Sequence, residues 1–238
     1  MTPTTSFWRS TDCHYHGWLE FKENALPSNI FSYLLVQYFL RHFKSKPFDI
    51  ACYDDPNEVA KCGALGQRSF LKQPLPSREG PRPEKGKWVV PHRQINQFGE
   101  YDMHKLIDQT IIDLAKTYPD HVILTTSALE KHGDALLIAE KVPTPHLPAR
   151  KTKREIAHVH TEGKNVDYSM HAVLSPRDCK DVIERGWGER MTLAGTLKMP
   201  AEYLMIYTPR TESELGIVRN ILEAAIGFMT GATRPMEE

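Results

Sequence analysis

The sequence contains little cysteine and carries no excess charge. Only four of its 238 residues are cysteines, and none of them forms a C-x-x-C pair. A disulfide scaffold or a zinc ribbon is therefore not expected, and a reducing compartment is the default. Thirty Lys and Arg balance thirty Asp and Glu. This balance argues against a nucleic-acid partner bound through a basic field.

Long apolar segments are also missing. The longest one, residues 30–43, has 14 residues and includes Ser32, Gln37, Arg41 and His42, so it is too short to span a bilayer. The first ten residues lack the basic start and apolar core of a secretion signal. The sequence therefore predicts a cytoplasmic protein. A helix over residues 29–43 is expected to be buried, with membrane-surface association as the alternative.

Several common catalytic motifs are absent as well. The chain has no P-loop, no G-x-G-x-x-G and no G-x-S-x-G elbow. A P-loop NTPase, a Rossmann-type dinucleotide enzyme and a serine hydrolase built on that elbow are therefore not indicated. No cysteine has a neighbouring histidine that would suggest a thiolate nucleophile.

The residue pattern predicts a single domain over residues 1–238, made of an N-terminal extension and an α+β core. The extension, residues 1–98, carries the 29–43 helix and a proline-rich extended loop over residues 72–91. In the core, residues 99–231, four of the five predicted strands follow one another without a helix between them, and helices follow that cluster. This order predicts a mostly antiparallel sheet with helices packed on one face. The predicted core elements are a helix over 101–117, strands over 121–126, 135–140, 154–160, 168–174 and 202–207, and helices over 175–186 and 211–231.

Histidine is locally abundant in what the pattern predicts to be a hairpin. Three of the 11 histidines, His158, His160 and His171, fall between residues 158 and 171. Side chains alternate along a strand, so the two apolar sides are buried together only if Ala157 and Val159 lie beside Met170 and Ala172. That register gathers five polar side chains on the other face. They are His158, His160, Asp167, Ser169 and His171.

Three interpretations of this polar face compete. It can be a solvated sheet surface on which the histidines have no special role. It can be a metal site, since His-x-His aims two imidazoles the same way and a third histidine completes a three-nitrogen set. It can also be an acid–base site, in which Asp167 orients one histidine. The spacing alone does not separate the metal site from the acid–base site.

Two weaker candidates flank the hairpin. Residues 186–190, Gly-Trp-Gly-Glu-Arg, have glycines that suit a tight turn and can present Trp187 and Arg190 to a cleft. The pattern itself favours a helix end with Trp187 packed on the core. Residues 150–154 are rich in Lys and Arg, as is typical of a solvated strand entrance. Their functional interpretation is an anion-attracting rim.

An ordered series of motifs resembles the fungal luciferase family. The resemblance spans roughly residues 12–231 and is dense after Lys151. The motifs are Lys-Thr-Lys-Arg-Glu-Ile-Ala-His-Val-His at 151–160, Asp-x-Ser-x-His at 167–171, Gly-Trp-Gly-Glu-Arg at 186–190, Leu-Ala-Gly at 193–195, Tyr-Thr-Pro-Arg-Thr-Glu at 207–212, Ala-Ala-Ile-Gly-Phe-Met-Thr at 224–230 and a proline-rich segment at 75–83.

The resemblance implies an enzyme that oxidises 3-hydroxyhispidin, a hydroxylated styryl-pyrone, with O2. The expected course is a peroxidic intermediate that loses CO2 and leaves excited caffeylpyruvate, which emits light. No flavin, nicotinamide, ATP or metal is expected. The alternatives are a non-luminous relative with a metal on the three histidines, or a binding module for a phenolic ligand.

The same resemblance suggests roles for the candidate residues. His158, His160, His171 and Asp167 are expected at the catalytic centre, where a histidine with a carboxylate partner removes the enol proton. Arg154 or Arg190 would stabilise the enolate and peroxide charge. Trp187 or Tyr207 would stack on the flat pyrone. Met191 departs from the family, whose members carry His after this motif, and the loop between His160 and His171 is about three residues longer here.

Overall fold

The computed structural model describes residues 14–20, 27, 29–161, 166–196 and 198–232. Residues 14–20 are helical. The later elements are α1 (Ile30–Leu34), α2 (Pro56–Ala60), α3 (Tyr101–Thr117), β1 (Val122–Thr126), β2 (Asp134–Ile138), α4 (Leu147–Lys151), β3 (Glu155–Val159), β4 (Met170–Val173), α5 (Pro176–Glu184), β5 (Gly188–Arg190), β6 (Tyr203–Ile206) and α6 (Glu212–Thr230).

The strands form one six-stranded sheet in the order β1-β2-β3-β4-β6-β5, and every neighbouring pair is antiparallel. Helices α3 and α6 contact each other, α3 packs on β1, and α6 packs on β3 and β4. The predicted α+β class is therefore confirmed.

The register of the histidine hairpin is the predicted one. Ala157 pairs with Ala172 and Val159 with Met170, and these apolar side chains are buried in the core. His158 pairs directly with His171. Because successive side chains point to opposite sides of a sheet, the histidines lie on the face opposite this apolar layer.

The predicted helix ends are also present. The Ser175 side chain accepts a hydrogen bond from the Asp178 N–H, with proline in the first turn of α5. The Thr211 side chain accepts one from the Glu214 N–H at the start of α6. Gly231 ends α6 in the left-handed conformation, with φ 74°, which glycine adopts without steric cost.

The 29–43 segment is helical as predicted, but the expectation that it is buried is wrong. α1 continues into a π-helical turn at Leu35–Phe39 and a 3₁₀ turn at Leu40–Phe43. Tyr33, Val36 and Gln37 are buried, whereas Phe31 is 79% and Phe39 57% exposed. Among the described residues, no helix is both long and apolar enough to cross a membrane.

Two elements of the core, residues 99–231, have no counterpart in the sequence prediction. Strand β5 has only three residues, with a glycine at its start, so it carries no alternating pattern. Helix α4 lies in a segment that its prolines suggest is a connector. The proline-rich residues 72–91 contain neither a helix nor a ladder strand, as predicted, and form only one isolated bridge, from Lys85 to Gln94.

Candidate active site

Three imidazoles converge in the protein interior. One ring nitrogen from each of His158, His160 and His171 lies within 4.8 Å of the other two. The ring centroids are 5.0–5.3 Å apart. All three residues are at most 3% exposed. The interpretation of the histidines as a solvated surface is therefore wrong.

The sheet places His158 and His171 side by side in a row of residues that crosses four strands. Direct pairing sets His158 opposite His171, and the next strands add Met205 and Glu189 at the same level. Tyr203, two residues before Met205, stacks on the His171 ring at 5.0 Å. Cross-strand neighbours at this spacing contact each other directly. The row therefore brings Glu189 and the Tyr203 ring to the same face of the sheet as the histidines.

The Nδ1 atom of each histidine faces a hydrogen-bond acceptor. His158 Nδ1 lies 2.6 Å from Glu155 Oε1, and His171 Nδ1 lies 3.2 Å from the Leu204 carbonyl oxygen. His160 Nδ1 lies 2.9 Å from Ser169 Oγ, which donates its own proton to Asp167 Oδ1 at 3.1 Å. Because these groups must accept, each Nδ1 carries a hydrogen. The Nε2 atoms are therefore the nitrogens available at the centre of the cluster.

Glu130 completes the cluster from the β1–β2 loop. Its Oε1 lies 3.1 Å from His158 Nε2 and 3.6 Å from His160 Nε2. Its Oε2 accepts a hydrogen bond from the buried Arg93 at 3.0 Å. The Glu130 side chain is 17% exposed, against 2% for His158. The loop therefore marks the side from which a ligand would approach.

Glu155 lies on the histidine face, although alternation puts it with Ala157 on the other one. The register between β2 and β3 shifts, so that Leu136 pairs with Ala157 but Leu137 pairs with Glu155. This irregularity takes up one extra residue and turns Glu155 over. Its Oε2 accepts hydrogen bonds from Ser127 Oγ and two backbone N–H groups of the loop. Glu155 thus fixes His158 and the Glu130 loop together.

The three imidazoles have different proton affinities. Burial disfavours a charged His158, but the carboxylates of Glu130 and Glu155 outweigh burial and raise its pKa to about 9. Burial and the Arg93 charge hold the pKa of His160 well below its usual range. Burial and the neighbouring His158 do the same to the pKa of His171. His160 and His171 are therefore neutral at physiological pH.

Asp167 lies where the sequence predicts it. Its Oδ1 accepts hydrogen bonds from the Ser169 N–H and hydroxyl and lies 3.4 Å from His160 Nδ1. Burial raises the pKa of Asp167 to about 6, and the Arg93 charge opposes that rise. The carboxylate therefore acts on His160 mainly through Ser169.

The structure does not bring Arg154 or Arg190 to the histidines. Arg154 precedes β3 with φ 74°, and its guanidinium donates to three backbone carbonyls, those of Ile138, Ala139 and Val142. Arg190 pairs with Leu204, which puts it on the opposite face from Glu189, and its Nη2 donates to the Ala194 carbonyl. Arg93 is the guanidinium next to the cluster, and nothing in its local sequence indicates this.

Trp187 and Tyr207 also lie outside the cluster. Trp187 is 2% exposed, and its Nε1 donates to the Pro76 carbonyl, as expected for a core residue at a helix end. It borders an open cleft of about 790 Å³. Tyr207 Oη donates to Glu189 Oε2 at 2.9 Å. Tyr203, not Tyr207, is the aromatic side chain stacked on the histidines.

A second polar group adjoins the cluster through His92. The His92 ring lies 5.7 Å from the His171 ring, and His92 Nε2 lies 3.0 Å from Glu189 Oε1. Lys85 also donates to Glu189. Burial opposes ionisation of Glu189, but His92 and Lys85 lower its pKa to about 2. Met191 lies two residues further on, and its sulfur accepts the N–H of Leu193.

The arrangement can hold a positive charge or accept a proton. The neutral imidazoles of His160 and His171 and the Glu130 carboxylate can accept hydrogens at the centre of the cluster, and the charged His158 donates to Glu130. Such a set suits a metal cation or an acidic proton of a bound molecule.

Comparison with known proteins assigns the chain to a family. A profile described as a luciferase domain matches residues 153–225, which include all three histidines and Asp167. Proteins described as luciferases from Armillaria mellea, Neonothopanus nambi and Armillaria ostoyae are each 34% identical to the chain over 227 residues, covering 91% of it and 80% of the relative. No solved structure matches the chain significantly. On the strength of these relatives, the chain belongs to the fungal luciferase family.

Proposed function

We propose that the protein is a luciferase-type oxygenase that oxidises 3-hydroxyhispidin with O2 to caffeylpyruvate, CO2 and light. The observation that carries the proposal is the convergence of three buried imidazoles and a carboxylate in a chain of this family. Both oxygen atoms of O2 are retained in the products, so the reaction needs no external reductant.

The first step is loss of the enol proton from the hydroxypyrone. Burial opposes ionisation of Glu130, but His158 and Arg93 hold its pKa well below the usual range, so it stays a carboxylate. It lies on the solvent side of the cluster and can orient the enol O–H towards the neutral imidazole of His160, whose Nε2 is 3.6 Å away and which takes the proton. The resulting enolate is electron-rich and forms a carbon–oxygen bond with O2. The peroxide then breaks its oxygen–oxygen bond as CO2 leaves.

The surroundings support charge development at this position. The buried Arg93 guanidinium lies against Glu130 and favours negative charge nearby. Tyr203 offers a flat ring beside His171. The low exposure of the histidines would keep water from the peroxide.

The test is to mix purified protein with 3-hydroxyhispidin in air and follow O2 uptake, loss of the substrate and light. We expect turnover by the natural protein and by His121→Ala, which changes a partly exposed histidine outside the cluster. His160→Ala should lose most of it, because His160 supplies an inner lone pair. Absence of both light and substrate loss with the natural protein would exclude this substrate.

We also propose that the helix over 29–43 contacts a membrane surface. Its exposed apolar side chains include Phe31 and Phe39. Tyr38 of the same segment lines a cleft of about 350 Å³. Arg41, Lys44 and Lys87 line that cleft. Apolar side chains next to basic ones are typical of helices that lie in the headgroup region of anionic bilayers.

A further inference from the structure

We propose that His158, His160 and His171 together bind one divalent transition-metal ion through their Nε2 atoms. The inference deepens the proposed function by giving the same site a cofactor. The role of the ion in oxidising the pyrone rests on the proposed function. The binding of the ion is inferred from geometry alone.

The ring nitrogens at the centre of the cluster are suited to a cation. The acceptors around the cluster fix all three Nδ1 atoms as donors that point outward. With the Nδ1 atoms donating outward, the inner Nε2 atoms are left to face a cation, and Glu130 Oε1 lies 3.1 Å from that of His158 and 3.6 Å from that of His160. Imidazole nitrogens and a carboxylate oxygen that face one small volume favour a cation there, which is either a proton on His158 Nε2 or a metal ion.

The spacing of the imidazole nitrogens matches that of a metal site. His158 Nε2 and His160 Nε2 are 3.2 Å apart. Two imidazole nitrogens bound at about 2.0–2.1 Å to a tetrahedral metal ion are about 3.3 Å apart. The ligand atoms of the full set lie within 4.8 Å, so a small movement of His171 brings the third nitrogen to the same distance.

The outer Nδ1 atoms of the three histidines are hydrogen-bonded in the way that is usual for metal ligands. Histidines that bind metals usually donate their other N–H to a carboxylate, a carbonyl or a similar group, which fixes the tautomer and the ring orientation. Here the three partners are Glu155, the Ser169–Asp167 pair and the Leu204 carbonyl, and all are buried. A chance cluster of histidines does not require every outer nitrogen to be held in this way.

A proton is the competing cation. Without a metal ion His158 is protonated, and its Nε2–H donates to Glu130. A proton bridges two acceptors at a time, however, whereas a metal ion binds three or four. Imidazole-rich sites suit zinc, copper, iron and nickel. With three protein nitrogens, a fourth position stays open towards Glu130, where an enolate oxygen could bind.

The test is the metal content of untagged protein by mass spectrometry. The protein is measured as purified, and again after removal of metal by a chelator and dialysis against Co²⁺ or Zn²⁺. We expect a single ion per chain and, with Co²⁺, the visible absorption of a site with imidazole ligands. His158→Ala and His171→Ala should lose the ion. His121→Ala should keep it, and circular dichroism checks that each variant is folded.

The outcomes separate this inference from the proposed function. Natural protein that binds no Fe²⁺, Co²⁺, Ni²⁺, Cu²⁺ or Zn²⁺ overturns the inference, and full turnover of 3-hydroxyhispidin by the metal-free protein overturns the role of the ion as a cofactor. In the second case the proposed function stands. Binding of one ion that His171→Ala abolishes, without any turnover of the pyrone, supports the metal site and removes the proposed substrate.

Discussion

Replacing Glu189 with glutamine should destabilise the protein at neutral pH and have little effect near pH 2. Glu189 is buried and accepts hydrogen bonds from Lys85, His92 and Tyr207. Glutamine preserves the shape of the side chain but removes the charge. The substitution therefore leaves Lys85 without an anionic partner. It also places the amide N–H group of glutamine next to side chains that themselves donate hydrogen bonds.

The magnitude follows from the pKa of Glu189. That pKa is about 2 in the folded protein, against 4.5 for an ordinary glutamate. A depressed carboxyl pKa stabilises the fold above the unfolded value, and this stabilisation is lost as the pH falls through the folded value. A difference of about 2.5 pH units corresponds to about 3 kcal/mol at pH 7, nearly all of it lost between about pH 4.5 and pH 2.

Urea unfolding, followed by tryptophan fluorescence between pH 2 and pH 7, measures this contribution. The free energy of unfolding of the natural protein should exceed that of Glu189→Gln by about 3 kcal/mol at pH 7 and by less than about 1 kcal/mol at pH 2. Glu184→Gln, a change at an exposed position of α5, is the control. A gap that stays constant across this pH range would refute the assignment of this stability to the ionised Glu189.

Three further variants test other parts of the proposed site and surface. Arg154→Ala should lower the free energy of unfolding by about 2–3 kcal/mol, because three hydrogen bonds are lost, and should leave KM unchanged. A raised KM with normal stability would show instead that Arg154 binds the substrate. Ser169→Ala should weaken Co²⁺ binding by about 10- to 100-fold in a chelator competition, because the His160 ring loses its partner, and unchanged affinity would count against that role. Changing Phe31 and Phe39 to serine should abolish co-sedimentation with phosphatidylserine vesicles without unfolding the chain; retained binding would exclude this helix as the contact.

The histidine hairpin could be predicted because its register follows from a local pattern. Ala157 and Val159 must be buried together with Met170 and Ala172, and a strand repeats every two residues, so only one pairing satisfies both. The ends of α5 and α6 were predictable for a similar reason, since caps are local hydrogen bonds.

The partners of the histidines could not be predicted in this way. Glu155 reaches His158 because of an irregularity in the β2–β3 pairing, which the alternation of β3 does not reveal. Glu130, Arg93 and His92 come from loops far away in the sequence, and no periodic pattern connects them with the hairpin. Arg154 and Arg190 belong to the motifs but do not reach the histidines. The positive φ of Arg154 directs its side chain elsewhere, and alternation along β5 puts Arg190 on the face opposite Glu189.

The most direct test of the central claim is anomalous X-ray diffraction from crystals of the protein grown with Co²⁺ or Zn²⁺. The account predicts one strong peak at the absorption edge of the metal, about 2.0–2.1 Å from the Nε2 atoms of His158, His160 and His171. No peak at this position, with His158 Nε2 hydrogen-bonded directly to His160 or Glu130, would contradict it.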